Sequence, residues 1–296
     1  MGRPYIFIRY NLLMRSLVSL EAVEYLAIGH AAHDLTADGA RLGGTVAYAA
    51  LTARALGMKA GIVTAVGKET PLDALNGIPV VSSDSLRSAT FENVYTPEGR
   101  VQYLRAQAAR IDFNLVPRSW RGASIIHLGP IANEMDMSLP EDFSPAFLGI
   151  TPQGWMRQWD ASGRVFRCDW LNSETILQKA NAVVVSREDV SGDHELIERM
   201  AHQTRMLVVT EGAEGCVLYW NGDRRRFRAL EVDEADATGA GDIFAAAFFI
   251  RLARTRDPWE AARFATLLAS HSVTRVGLDG IPTQAEIELC LMEVLQ

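Results

Sequence analysis

The chain has 296 residues, 48% of them hydrophobic, and a formal net charge of −7, which suits one large buried core and one main domain better than two. The negative balance argues against nucleic acid or an anionic membrane surface as the main partner. Cys168, Cys216 and Cys290 are odd in number, far apart and without metal-ligand spacing, and read as buried thiols of a reducing, cytoplasmic compartment.

Residues 1–22 read as an N-terminal extension, poorly ordered or accessory, before a domain spanning 23–296. Arg3, Arg9 and Arg15 break the apolar run there, no small-residue cleavage site follows, and Met14 is an alternative start. No other stretch is apolar for long enough to span a membrane. Strand and helix patterns then alternate. Residues 24–29 read as a strand ending in Gly29, and Gly43-Gly44 opens a helix over 45–56 that Gly57 closes. Residues 60–66 form the next strand. It ends in Gly67-Lys68-Glu69-Thr70, which lacks the spacing of a P-loop and has Glu69 where a hydroxyl would hold magnesium.

Between 79 and 111 the pattern changes to short runs at 88–95 and 101–104, joined by Thr96-Pro97-Glu98-Gly99-Arg100, which predicts a hairpin. Strands are expected at 123–128, 165–169, 182–186, 206–210 and 216–220, and Asn221-Gly222 is a hairpin turn into 224–230. Helices at 240–254, 258–275 and 284–295 close the chain. The apolar run from Ile243 to Ile250 must be buried. Arg224, Arg225, Arg226 and Arg228 read as a solvated strand face, and His30 and His33 as locally hydrogen-bonded. The alternation predicts an α/β fold with a mostly parallel sheet, helices on both faces and ligands at the carboxyl ends of the strands.

The most informative stretch is Asp236-Ala237-Thr238-Gly239-Ala240-Gly241-Asp242. It is a glycine-rich turn opening into a helix, whose first N–H groups and positive dipole end make an anion site. A carboxylate such as Asp242 beside that site fits a base that takes the proton of an attacking hydroxyl. The stretch resembles the Asp-x-Thr-Gly-Ala-Gly-Asp signature of the ribokinase-like, PfkB-type carbohydrate kinases, with Ala237 departing from the usual Thr or Pro. The resemblance implies that the Gly239, Ala240 and Gly241 amides form the anion hole for the transferred phosphoryl group, and that Asp242 is the general base.

Further stations are similar to the same family from about residue 24 to 282. Gly29 followed by Asp34 resembles its first-strand Gly and sugar-binding Asp, and Gly43-Gly44 its substrate-contacting Gly pair. Tyr48 departs, since many members carry Asn there. In 183–189, Ser186 and Asp189 replace the Asn and Glu of the motif that positions magnesium-bound water, with Glu188 adjacent. Thr210, Gly212 and Gly215 resemble the nucleotide loop, and Thr238 belongs with them. Asn93 and Arg100 on the expected hairpin are lid contacts.

The resemblance therefore implies a ribokinase-like kinase with a small β lid around 88–104, using ATP and Mg2+ and admitting a monovalent cation, active as a monomer or homodimer. Residues 29–34, the short path to Gly44 and residues 208–216 are also similar to the family's inositol kinases. Only eight residues separate Asp34 from Gly43, so a small lid over a compact, unphosphorylated sugar or cyclic polyol is expected. A catalytically idle sugar- or nucleotide-binding regulator on the same fold is the alternative, against which Asp242 argues. A dinucleotide oxidoreductase is disfavoured because no Gly-x-Gly-x-x-Gly follows the first strand.

Overall fold

The computed structural model describes residues 7–9, 20–36, 39–96 and 99–292, with residues 7–9, 95, 96, 99 and 100 described by backbone alone. In chain order the first half comprises β1 (Phe7–Arg9), β2 (Tyr25–Ile28), β3 (Ala32–Thr36), β4 (Gly39–Gly43), α1 (Thr45–Ala55), β5 (Ala60–Val66), β6 (Val80–Asp84), β7 (Ala89–Thr96), β8 (Gly99–Ala106), β9 (Ile125–Leu128) and β10 (Phe147–Ile150). The second half comprises β11 (Arg157–Trp159), β12 (Val165–Arg167), α2 (Glu174–Lys179), β13 (Ala182–Ser186), α3 (His194–Gln203), β14 (Met206–Thr210), β15 (Cys216–Trp220), β16 (Asp223–Phe227), α4 (Ala240–Thr255), α5 (Pro258–Ser272) and α6 (Gln284–Met292).

Among the described residues ten strands form one sheet in the order β1-β6-β5-β2-β9-β10-β13-β14-β15-β16. It is parallel as far as β14, and β15 and β16 then add antiparallel at one edge. Asn221 (φ 51°) and Gly222 (φ 80°) turn the last hairpin, as an Asn-Gly pair favours when both central residues need φ > 0.

Both faces of the sheet are covered, so its inner strands read as unbroken apolar runs. Tyr25, Ala27, Ile62, Val184 and Val208 pack under α1, α4 and α5, whereas Leu26, Ile28, Val63, Val185 and Val209 face α3 and the segment around Phe113 and Trp120. Residues 243–250 of α4 are all buried, because that helix packs on β9, β10 and β13 of the sheet and is flanked by α1 and α5. Asp257 starts α5 by accepting from the Trp259 and Glu260 N–H groups, with Pro258 in the first turn. No described helix is long and apolar enough to cross a membrane.

A second, four-stranded sheet of order β4-β3-β7-β8 forms the lid. The expected hairpin of 88–104 supplies only half of it. The supposed loop between Gly29 and Gly43 is itself a hairpin, β3–β4, and β3 runs parallel to β7. The short interval after Asp34 thus builds lid instead of limiting it. β3 and β4 escape a pattern search because their outer residues are exposed and show no sustained alternation.

Three strands also move. Residues 165–167 pair with 157–159 in a separate ribbon, and the sheet position expected for them belongs to β10, too short and glycine-containing to stand out. β6, inside the region read as hairpin, joins the main sheet beside β5. β1, inside the expected extension, pairs parallel with β6. The expected helix end beyond Met292 lies outside the described residues.

Candidate active site

The carboxyl ends of β10, β13 and β14, the N-termini of α1 and α4 and the inner face of the lid enclose one cleft of about 980 Å³, a volume typical of small-ligand sites. Asp34, Gly44, Asn93, Glu188, Asp189, Thr210, Gly212, Gly215, Thr238, Gly239, Ala240, Gly241 and Asp242 all line it. Gly43 stands just behind, its Cα against the Asp34 carboxylate. The Arg100 side chain lies outside the described residues.

Gly239 caps α4 with φ 80°, in the left-handed region, and the Tyr48 ring occupies the space a Cβ would need. Only glycine meets both demands. Asp236 holds the turn by accepting from Thr238 N–H at 2.9 Å and Gly277 N–H at 2.9 Å. The first-turn N–H groups of α4 therefore face the cleft from a fixed loop, as an anion site requires. A Cβ on Gly241 would meet no protein atom, so that position opens onto the ligand space.

Asp242 accepts a hydrogen bond from the Thr45 hydroxyl, the first side chain of α1. Burial raises its pKa to about 6; the Thr45 bond lowers it, Asp189 and Asp34 raise it, and Arg157 lowers it. Asp34 on β3 is likewise raised to about 6 by burial and by Asp236, with Arg157 opposing. A carboxyl near neutrality suits proton transfer at physiological pH. Tyr48, 2% exposed, has its hydroxyl pushed well up by burial and by Asp34, Asp242 and Asp236. Its ring lines the cleft and stands against Gly239.

At the end of the cleft built by β13 and β14, Ser186 Oγ accepts from Asp189 N–H at 3.0 Å, and Asp189 Oδ2 accepts from Ser186 N–H at 3.1 Å. Gln153 Nε2 donates to Asp189 Oδ1 at 2.8 Å. Both Asp189 oxygens are thus engaged, and no group of three or more metal-ligating side chains exists among the described residues. Glu188 and Asp189 together still fit an oxygen-ligated cation held largely through water and phosphate, as magnesium is. Glu211 pairs with Arg187 at 3.4 Å and with Arg226 at 2.5 Å, so Arg226 is tied to the cleft rim and is not simply solvated. Arg225 lies over Trp259, 4.1 Å from the ring centroid. Beyond the Thr210–Gly215 loop the cleft continues between Leu230, Val232, Ala269 and Val273, an apolar slot.

His30 is buried, with Nε2 2.8 Å from the Ala109 carbonyl, in keeping with its local role. Thr45, Gln153 and Arg157 were not legible as site residues. Thr45 carried one usable signal, its place directly after Gly43-Gly44. Gln153 and Arg157 lie in Thr151-Pro152-Gln153-Gly154-Trp155-Met156-Arg157, a loop composition with no period to mark a face.

Comparison with known proteins agrees with this geometry. Residues 174–284 match the pfkB family carbohydrate kinase model. Cytidine kinase of Thermococcus kodakarensis is 24% identical over 81% of this chain and 92% of its own length. Ribokinase of Bacillus subtilis is 41% identical, over only 31% of each chain. A pyrophosphate-dependent kinase of the ribokinase family, solved with a pyrophosphate analog and myo-inositol, superposes with a TM-score of 0.71 at 23% identity, covering 90% of this chain and 99% of that one. The pfkB carbohydrate kinase match thus covers residues 174–284, and the likeness to ribokinase-family structures over about nine tenths of the chain shows that the rest, lid included, shares the ribokinase fold.

Proposed function

We propose that the protein transfers the γ-phosphoryl group of ATP to a hydroxyl of a compact, uncharged cyclic polyol or monosaccharide, inositol among the candidates. The observation that carries this reading is the position of Asp242. It is a carboxylate with a raised pKa of about 6, at the first turn of α4 beside the Gly239–Gly241 amides, in the same cleft as Asp34. In the reaction the acceptor oxygen bonds to the γ-phosphorus, the bond to the bridging oxygen breaks, and Asp242 takes the hydroxyl proton. The α4 amides stabilise charge on the phosphoryl oxygens. Glu188 and Asp189 would hold magnesium through water and phosphate, and it would supply neutralisation of phosphate charge.

Asp34 can accept from two neighbouring hydroxyls, and Asn93, paired with Gln102 on the lid at 3.0 Å, presents amide groups from above. The four-stranded lid is larger than expected from the sequence, and a compact acceptor is favoured instead by the Tyr48 and Phe91 rings, which narrow the acceptor half, while the two carboxylates disfavour a phosphorylated sugar. The apolar slot by Leu230 and Val273 favours a nucleoside-bearing donor over pyrophosphate.

The test is a coupled screen of inositols, ribose, fructose, ketodeoxygluconate, nucleosides and sugar phosphates against magnesium ATP and magnesium pyrophosphate. Best kcat/KM on an uncharged polyol or monosaccharide with ATP is expected. Best kcat/KM on a sugar phosphate or a nucleoside, or with pyrophosphate, overturns the acceptor or the donor assignment respectively. No turnover at all would leave a binding protein on a kinase fold.

A further inference from the structure

One short turn outside the signature motifs touches both ends of the cleft. After β10 the chain makes a 3-10 turn at Gln153–Met156 and enters β11. Gln153 reaches the donor-end acid Asp189. Arg157, four residues on, has Nη1 3.3 Å from the Ile131 carbonyl and its guanidinium carbon 5.7 Å from the centroid of the lid ring Phe91. Among the described residues the cations lining the cleft are Arg157 and Arg187, and Arg187 is paired with Glu211 at the donor end.

We propose that Arg157 is an acceptor-binding residue, whose guanidinium donates to an acceptor oxygen and balances the Asp34 and Asp242 carboxylates between which the acceptor lies. This rests on the kinase reading above and deepens it. The Ile131 carbonyl and the Phe91 ring fix the guanidinium plane, so lid and cation form one wall of the acceptor half. A planar fork can donate to neighbouring oxygens with a geometry an ammonium does not reproduce.

The electrostatics agree. Asp242 is faced by the Thr45 hydroxyl on α1, Asp189 and Asp34, with Tyr25 and Tyr48 also coupled to it. Asp34 is faced by Asp236 and Tyr48. Arg41 lies opposite Asp34 on β4, and its charge acts on Tyr48. Like charges in a desolvated site raise one another's pKa, and an opposite charge lowers it. Arg157 lowers both acids, so its removal should move both upward.

The test compares Arg157→Gln and Arg157→Lys with the wild type, after thermal melting shows that each variant folds. In R157Q the acceptor KM should rise about 10-fold or more while the donor KM stays within about 2-fold, as expected for lost hydrogen bonds to one ligand. The acidic limb of kcat/KM should move up by about half to one pH unit. R157K should restore the limb but not the acceptor KM.

An unchanged acceptor KM, or equal rises in both KM values with an unmoved limb, would overturn the proposal. If the wild type phosphorylates no acceptor, the kinase reading fails separately. Carboxyl 13C NMR titration of Asp34 and Asp242 then decides the charge-balancing role. Higher midpoints in R157Q support it, and unchanged midpoints refute it.

Discussion

Asp242 holds a carboxylate where burial raises its pKa from 3.8 to about 6, and that shift has opposite consequences for activity and stability. A general base must be ionised, so kcat/KM should fall as the pH drops through about 6. Asp242→Asn should cost ~10²–10⁴-fold in kcat while leaving donor binding largely intact. For stability, a raised folded-state pKa means that the contribution is fully present below the unfolded value of 3.8 and is lost as pH rises through about 6. D242N should therefore melt about 2–4 °C above the wild type at pH 7.5, and that gain should vanish near pH 4. Differential scanning calorimetry across pH checks the sign; a loss of stability at pH 7.5 would count against the burial cost.

The two glycines of the turn should separate in the same way. A Cβ at 241 meets open ligand space, so Gly241→Val should lower kcat about 10²-fold with little change in melting. Gly239→Ala meets the Tyr48 ring at a left-handed φ and should cost about 1–3 kcal/mol of stability. Urea denaturation alongside kinetics would expose a reversal of this order.

At the scale of elements, α4 was legible because two independent signals coincide there, a glycine-rich cap and an apolar run buried on every side. The β3–β4 hairpin was not. Its strands are half exposed, so Asp34 was legible as a substrate-binding residue from its spacing after Gly29 but the strand that carries it was not. The lid packs on its own small cluster of Ala32, Ala89, Phe91, Leu104, Ile131 and Ala132, and a backbone hydrogen bond of 2.8 Å from Leu104 N–H to the Gly163 carbonyl ties its edge to the β11–β12 ribbon. Phe91 is 4% exposed and belongs both to that cluster and to the cleft. Phe91→Ala should therefore raise the acceptor KM about 10-fold and lose stability at the low end of the ~3–5 kcal/mol seen for buried Phe→Ala changes. An unchanged acceptor KM with the full stability loss would make the lid a structural cover only.

For the whole molecule, strand–helix alternation made the sheet class and the location of the cleft readable, because a parallel sheet covered on both faces leaves its carboxyl edge for ligands. Strand order and the identity of the middle strands were not readable. β10 is a four-residue run with a glycine, and the ribbon strand at 165–167 looked equally good. In the site, residues fixed by backbone demands, such as Gly239, Gly44 and Asp236, left a spacing signature. Side chains that enter from other elements, such as Thr45, Gln153 and Arg157, left none, since their roles depend on tertiary approach.

The measurement that tests the central claim most directly is transfer of radiolabelled γ-phosphate from ATP, with label followed into polyol phosphate and into free phosphate for wild type and D242N. The account predicts label in the polyol product for the wild type and a ~10²–10⁴-fold slower appearance in D242N. Label passing only to water regardless of acceptor, or equal transfer by both proteins, would contradict it.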